Sequence, residues 1–261
     1  MQRNIRLLVA WDGTAYSGWQ RQANAVTIQG VIEDRLTVMT GAATVLIGAG
    51  RTDAGVHALG MTANFHTTAA IPCDGFLRGL NSMLPEDIRL LAVDEAEKNF
   101  HSRYNATGKT YFYRFCTGKT QLPTERLYAA HFPGSFDHEA VASALAAIRG
   151  THDFSSFEAS GSRDRGDTSG RGAVRTIHRA VLQPDPVFRE SYRIILTGDG
   201  FLRHMVRNLA GTLIQVGTGL TTPEEFRAIL EQRDRNEAGP TAPARGLFLE
   251  KVHYGPLDTE A

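Results

Sequence analysis

Several things are scarce in this sequence, and each scarcity removes a class of protein. Two cysteines, Cys73 and Cys116, occur in 261 residues. They are too few and too far apart for a disulfide framework or a four-ligand zinc site, so a reducing, cytoplasmic setting is expected. Charge of one sign is not in excess, because Lys plus Arg and Asp plus Glu number 28 each. No global basic field advertises a polyanion, and a nucleic-acid partner requires a local patch. Long apolar runs are missing near the start, where LLVAW at 7 to 11 gives only five residues before Asp12. That is too short for a signal peptide or a membrane span, and no membrane association is expected. With 42% hydrophobic and 21% charged residues, the chain is neither disordered, collagenous nor coiled-coil. What is left is a soluble globular chain, long enough for one large core or two similar halves.

The apolar pattern favours two halves. IRLLVAW (5 to 11) reads as a buried strand stopped by Asp12 and Gly13. Ile28, Val31, Ile32, Leu36 and Met39 then recur at helical spacing, with Thr27 as N-cap and Gly41 as stop. A strand at Thr44–Ile47, the alternation Met61, Ala63, Phe65, a helix over 76 to 84 and a strand at 88 to 93 complete β-α-β-β-α-β. The second half repeats the order: a strand at 110 to 116, a helix capped by Asp137 and ended by Gly150, strands at 177 to 182 and 192 to 197, a helix over 202 to 215, a capping box at Thr222-Pro-Glu-Glu225, and a closing strand GLFLEKV. The expected fold is α+β: two ferredoxin-like halves, 1–104 and 105–261, forming one continuous antiparallel sheet with helices on one face and a cleft on the other. The polar run AEKNFHSRYNATGK joins them. SGSRDRGDTSGRGAVR (160 to 175) is too polar to order alone; it reads equally as a solvated loop and as an Arg-bearing loop that orders on a phosphate backbone.

The chemistry centres on GAGRTDAGVHALG, 48 to 60. As a dinucleotide-binding loop it fails, because Asp53 stands where the third glycine belongs and no helical period follows. Instead the small residues allow a tight turn and close approach of something bulky, with Asp53 facing that space and Arg51 near enough to favour its ionised form. The plainer reading is a turn aspartate bonding its own backbone.

GRTDAGVH (50 to 57) resembles the signature of the tRNA pseudouridine synthase A family. YSGWQRQ (16 to 22), LPEDI (84 to 88), KTYFYR (109 to 114), FLRHMVRNLAG (201 to 211) and GLFL (246 to 249) are similar to further family motifs in the same order. The resemblance covers essentially the whole chain. It implies a cofactor-free, metal-free isomerase that breaks the bond between ribose carbon 1′ and uracil nitrogen 1, turns the base and rejoins it through carbon 5. The implied targets are uridines 38, 39 and 40 in the anticodon arm of tRNA, gripped by a homodimer.

By the same resemblance Asp53 is the nucleophile, Tyr111 the stacking residue that removes the carbon 5 proton, and Arg207 the cation that orients Asp53, with Arg51 assisting. Hydrolysis of a glycosidic bond would need a partner acid that the motif does not supply. Tyr111 and Tyr113 point to one face of their strand, Phe112 and Arg114 to the other; without the resemblance the pair could equally be core aromatics. Arg203 and Arg207 lie four apart on one helix. Arg203 reads as a solvated charge or a phosphate contact, and His57 and His204 as structural or RNA-facing. Arg21, Gln22, Arg78, Arg103, Lys109 and the arginines of 163 to 179 are further phosphate candidates, and Leu247 of GLFL a substrate contact. A catalytically idle RNA-binding module of the same fold would lack Asp53 or Tyr111, and both are present.

Overall fold

The computed structural model describes residues 1–161 and 170–257. Residues 162–169, which carry the centre of the Arg-bearing loop, lie outside the described residues. The chain divides into two compact units, Met1–Thr107 with Phe248–Gly255, and Gly108–Leu247 with Pro256 and Leu257.

The first unit runs β1 (Arg3–Trp11), α1 (Ile28–Thr40), β2 (Ile47–Gly48), β3 (His57–Thr67), α2 (Cys73–Met83) and β4 (Ile88–Ala96). β1 lies between β3 and β4, antiparallel to both. Its register sets Ile5 opposite Phe65, Leu7 opposite Ala63 and Val9 opposite Met61, all buried in one face of the sheet. Each large side chain so buried contributes about 1.5–3 kcal/mol. The helices cover this face: Phe76 of α2 meets Phe65 edge-on at 5.4 Å, and Met39 of α1 packs against Gly79 of α2. α1 starts and stops where the caps predict. The Thr27 hydroxyl accepts from the Gly30 N–H, and Gly41, at φ 70°, donates its N–H to the Thr37 carbonyl. The strand expected from Thr44 is shorter, reduced to Ile47–Gly48.

The opposite face is polar, and the supposed joining segment covers it. Asn64 donates to Asn4 Oδ1 (2.9 Å), and Asn4 donates to the carbonyls of Glu97 (2.9 Å) and Phe100 (2.8 Å). Buried amides are satisfied here by a backbone that has no ladder of its own.

The second unit runs β5 (Gly108–Cys116), β6 (Ala130–His131), α3 (His138–Ala147), β7 (Gly150–Asp153), β8 (Val174–Pro184), β9 (Ser191–Gly198), α4 (Met205–Gly217) and α5 (Pro223–Gln232). Its sheet has the order β5-β9-β8-β7, antiparallel throughout, with β6 added parallel to β5. Asp137 caps α3 and Thr222 with Glu225 forms the reciprocal capping box of α5. Two helix boundaries and one strand pairing differ from expectation. α3 closes at Ile148, because Gly150 already opens the polar strand β7. α4 starts at Met205 rather than 202, because His204 sits at φ 62° and breaks the helical run before it. The last strand, β10 (Leu247–His253), pairs parallel to β3, Phe248 opposite His57. A strand returning from so far along the chain can enter in the parallel sense, so the sheet is mostly rather than wholly antiparallel.

Phe112 and Arg114 share one face of β5 with a buried charge cluster. Arg114 Nε lies 2.7 Å and Arg193 Nε 2.5 Å from the same oxygen of Asp185. The other oxygen accepts the N–H groups of Val187 (2.8 Å) and Phe188 (3.0 Å). Both guanidinium groups lie over Phe112, at 5.4 and 4.7 Å. Burial by itself raises the Asp185 carboxyl, but the Arg193 hydrogen bond, the two backbone N–H groups and Arg114 outweigh it and bring it down to about 2. A carboxyl depressed in the folded state stabilises the fold above its unfolded value and loses that contribution as pH falls through its folded value. Asp185→Asn therefore costs about 3 kcal/mol at pH 7, because Arg114 and Arg193 lose the carboxylate they share. In urea titrations the gap between wild type and variant narrows as pH drops below about 4 toward 2; a gap constant down to pH 3 contradicts the pairing.

Candidate active site

Asp53 lies between β2 and β3 in a segment without regular structure, so its position has to come from elsewhere in the first unit. Within the loop, the Val56 N–H returns to the Asp53 carbonyl at 3.2 Å. From outside, the Trp19 N–H donates to the Thr52 carbonyl (3.3 Å) and the Gly55 N–H to the Tyr16 carbonyl (3.2 Å). Gly18 sits between those straps at φ 87°, and a Cβ there would lie 2.3 Å from the Thr52 oxygen and 3.0 Å from the Asp53 carbonyl carbon. Only glycine has both the conformation and the clearance. Trp19 covers Gly48 at the start of the loop and packs on Trp11 at 5.3 Å, whose indole N–H donates to the Val56 carbonyl at 3.0 Å.

A third stretch closes the arrangement. The Tyr16 hydroxyl donates to Asp87 Oδ1 at 2.6 Å, and the Asp12 N–H donates to the Asp87 carbonyl at 2.9 Å. Burial, then the hydrogen bond to Asp87, pushes the Tyr16 hydroxyl above its ordinary range, so it stays a neutral donor. YSGWQRQ, GRTDAGVH and LPEDI, which are separate along the chain, thus form one hydrogen-bonded body that presents a half-buried Asp53. Tyr16, Gly18 and Asp87 received no role from the sequence. A glycine set between Tyr16 and Trp19 is the signal that could have pointed to a close backbone approach.

The remaining expected residues of this unit fall into different places. Arg51 is exposed. Arg21 is held by the buried Glu33 (3.0 Å) and by the exposed Asp34 (2.9 Å) of α1; the Asp34 pair, being exposed, exchanges readily for another anion. Gln22 donates to the Ser17 carbonyl at 3.2 Å. His57 is 1% exposed and stacks on Phe248 at 4.5 Å. The Gly13 N–H, fixed by the backbone, donates to its Nδ1 at 3.1 Å. That nitrogen therefore carries no proton, and Asp12 Oδ1, 3.2 Å away, takes the Thr14 N–H and hydroxyl instead. His57 is thus enclosed beneath the loop.

In the second unit, β5 places Tyr111 and Tyr113 on the face opposite Phe112 and Arg114. Tyr111 is 8% exposed and meets Phe201 edge-on at 5.1 Å, which joins the KTYFYR motif to FLRHMVRNLAG. Phe201 also received no role from the sequence. The Tyr113 hydroxyl is committed to the Pro243 carbonyl at 2.9 Å; burial raises it, and Arg207 and Arg245 act against that. Arg207, half-buried on α4, donates from Nε to the Ala242 carbonyl (2.8 Å), while its own carbonyl accepts the Ala242 N–H (3.1 Å). Arg203 is exposed just before α4 and accepts through its carbonyl from the Ala159 N–H at 2.9 Å. Leu247 is buried at the head of β10. Among the described residues no group of three or more His, Cys, Asp or Glu is placed to hold a metal ion, and no helix is long and apolar enough to cross a membrane.

Comparison with known proteins bears on this geometry. A family model described as tRNA pseudouridine synthase matches residues 7–105 and 144–255. The chain is 53% identical over 253 residues to tRNA pseudouridine synthase A 1 of Desulfotalea psychrophila, covering 97% of this chain and 100% of that one. It is 42% identical over 252 residues to the tRNA pseudouridine synthase A of Clostridium kluyveri and 43% over 254 to that of Acetivibrio thermocellus, again covering 97% of this chain and 100% of each relative.

The strap on the Asp53 loop has a measurable stability signature. Gly41→Ala adds a side chain at φ 70° with nothing within 4 Å, so it costs only the left-handed penalty, about 1–2 kcal/mol. Gly18→Ala adds that penalty and the collision with Thr52. Calorimetry is expected to show a drop in Tm for Gly18→Ala at least twice that for Gly41→Ala; equal drops mean that the two segments do not press together.

Proposed function

The chain belongs to the tRNA pseudouridine synthase family and isomerises uridine to pseudouridine in tRNA, and we propose that its targets are uridines 38, 39 and 40 of the anticodon arm, with Asp53 as the nucleophile. The observation that carries the assignment is the body built around Asp53. The stretch Tyr16–Trp19, itself braced by Asp87 beyond α2, spends backbone hydrogen bonds and a glycine contact on holding the loop that carries Asp53. Positioning of this kind is what a covalent step needs, since a reacting carboxylate must be held close to its target geometry.

In the proposed sequence the ionised Asp53 attacks the target nucleotide and the bond from carbon 1′ to nitrogen 1 breaks. The base then turns and bonds to carbon 1′ through carbon 5, the bond to Asp53 breaks so that its carboxylate is regenerated, the proton on carbon 5 leaves, and nitrogen 1 takes one up. Atoms balance without oxidant, phosphate or water, because the product is an isomer. Tyr111, on a strand rather than a loop, offers a rigid ring for the displaced base and a hydroxyl for the carbon 5 proton. Arg207 is proposed to orient Asp53, and Arg51 to assist. Extruding the uridine costs roughly a few kcal/mol of stacking and pairing, which contacts elsewhere on the tRNA must offset. Arg203, Arg21 and Gln22 are proposed for that duty, with Leu247 packing beside the substrate. A homodimer would let a chain with no net charge gather one basic surface. The cytoplasm, where tRNA is modified, is the proposed location.

The test uses tRNA transcripts carrying tritium at carbon 5 of uridine, with no metal or cofactor added. Wild type releases label from the anticodon arm, and Asp53→Asn releases none while keeping its Tm. Tyr111→Phe keeps the ring and loses the hydroxyl, so release falls by about 10²–10⁴-fold while tRNA affinity stays near wild type. Full activity in Asp53→Asn overturns the nucleophile; full activity in Tyr111→Phe overturns the proton-removal role.

A further inference from the structure

The segment from Glu97 to Thr107 carries an exposed surface to which the reaction above gives no part. Its backbone is held from beneath. Ser102, fully buried, donates its N–H (2.9 Å) and hydroxyl (2.7 Å) to Asn64 Oδ1, and its carbonyl accepts from the Tyr254 hydroxyl at 2.7 Å. The turn above it is closed on itself. The His101 N–H donates to Asn105 Oδ1 (2.7 Å), and His101 Nδ1 accepts the N–H groups of Arg103 (3.1 Å) and Tyr104 (3.2 Å).

On this rigid base Tyr104 is 77% exposed. Its ring is stacked on His101 at 4.1 Å, and the Arg103 guanidinium lies 5.9 Å from its centroid. Arg103 has no carboxylate within ion-pair distance among the described residues. The sequence runs from Lys98 to Thr124 without one Asp or Glu, in a chain whose charges otherwise balance. An aromatic ring pinned outward beside an unneutralised guanidinium is the chemistry that recognises a nucleobase and its phosphate, because every base has a face to stack and every phosphate a charge to meet.

We propose that Tyr104 is a stacking platform for an unpaired base of the tRNA substrate, with Arg103 on the neighbouring phosphate. The proposal rests on the tRNA reading above. Its physical use would be to receive a base that the extrusion of the target leaves unstacked, so that part of the cost of opening the arm is returned at binding.

Initial rates of tritium release against tRNA concentration separate the possibilities. Tyr104→Ala raises KM about tenfold or more with kcat within twofold, and Tyr104→Phe, which keeps the ring, restores the wild-type KM. Arg103→Gln lowers the slope of log KM against log salt by about one. In Tyr104→Trp the new indole is quenched when tRNA is added, against a steady background from Trp11 and Trp19, both buried. A wild-type KM in Tyr104→Ala overturns the proposal. So does a loss of dimer in sedimentation by Tyr104→Ala with KM unchanged, which would make the surface a contact between copies. Failure of the proposed reaction reads differently: wild type would release no label from any tRNA, while tRNA would still quench Tyr104→Trp.

Discussion

A backbone contact between Gly18 and Thr52 decides where the carboxylate of Asp53 can be. Beyond Ala49, whose N–H donates to the Thr62 carbonyl of β3 at 2.9 Å, the loop to Val56 has one internal turn and no helix or ladder to fix it, so its geometry is borrowed from the stretch Tyr16–Trp19 and, through the Tyr16 hydroxyl, from Asp87. The two backbone hydrogen bonds across that contact each contribute only about 0.5–1.5 kcal/mol. Their value lies in position, since a misplaced reacting carboxylate loses rate far out of proportion to the energy involved. Trp11, Trp19 and His57 form the wall beneath, and their burial explains why a half-exposed loop can be held firmly.

The second unit solves a different problem. β5 holds two tyrosines on one face while burying charge on the other. Tyr113 is tied to Pro243 and Tyr111 packs on Phe201, so the two tyrosines of one face are differently employed although they are two residues apart. On the opposite face Asp185 gathers Arg114 and Arg193 over Phe112. The strand is rigid because both faces are occupied, and a rigid strand is a better support for a base platform than a loop would be.

Local features were legible from the sequence because they are written in neighbouring residues. Thr27 and Gly41 bracket α1, Asp137 opens α3, and Thr222 with Glu225 opens α5. Alternation at Met61, Ala63 and Phe65 placed the covered face of β3. What depends on distant partners was not legible. The left-handed residue His204 that delays α4, the parallel entry of β10, the Asn4–Asn64 pair beneath residues 97 to 105, and the triad on Asp185 have no signature within a few positions of themselves. The candidate site divides the same way. Asp53 was visible as a charge among small residues, while Tyr16, Asp87 and Phe201 acquire meaning only when the fold brings their stretches together. His57, read from the sequence as structural or RNA-facing, is enclosed beneath the loop by partners the sequence does not show.

The straps from Tyr16 and Trp19 set the Asp53 loop before substrate arrives, and amide hydrogen exchange on the free protein tests that directly. The N–H groups of Trp19 and Gly55 are the donors of the straps and that of Val56 closes the turn within the loop, so all three are expected to exchange far more slowly than unstructured amides, opening only with the surrounding unit. Exchange of these three at the rates of an open chain, while β1 and β3 remain protected, would contradict it and mean that substrate binding, not the fold, places the aspartate.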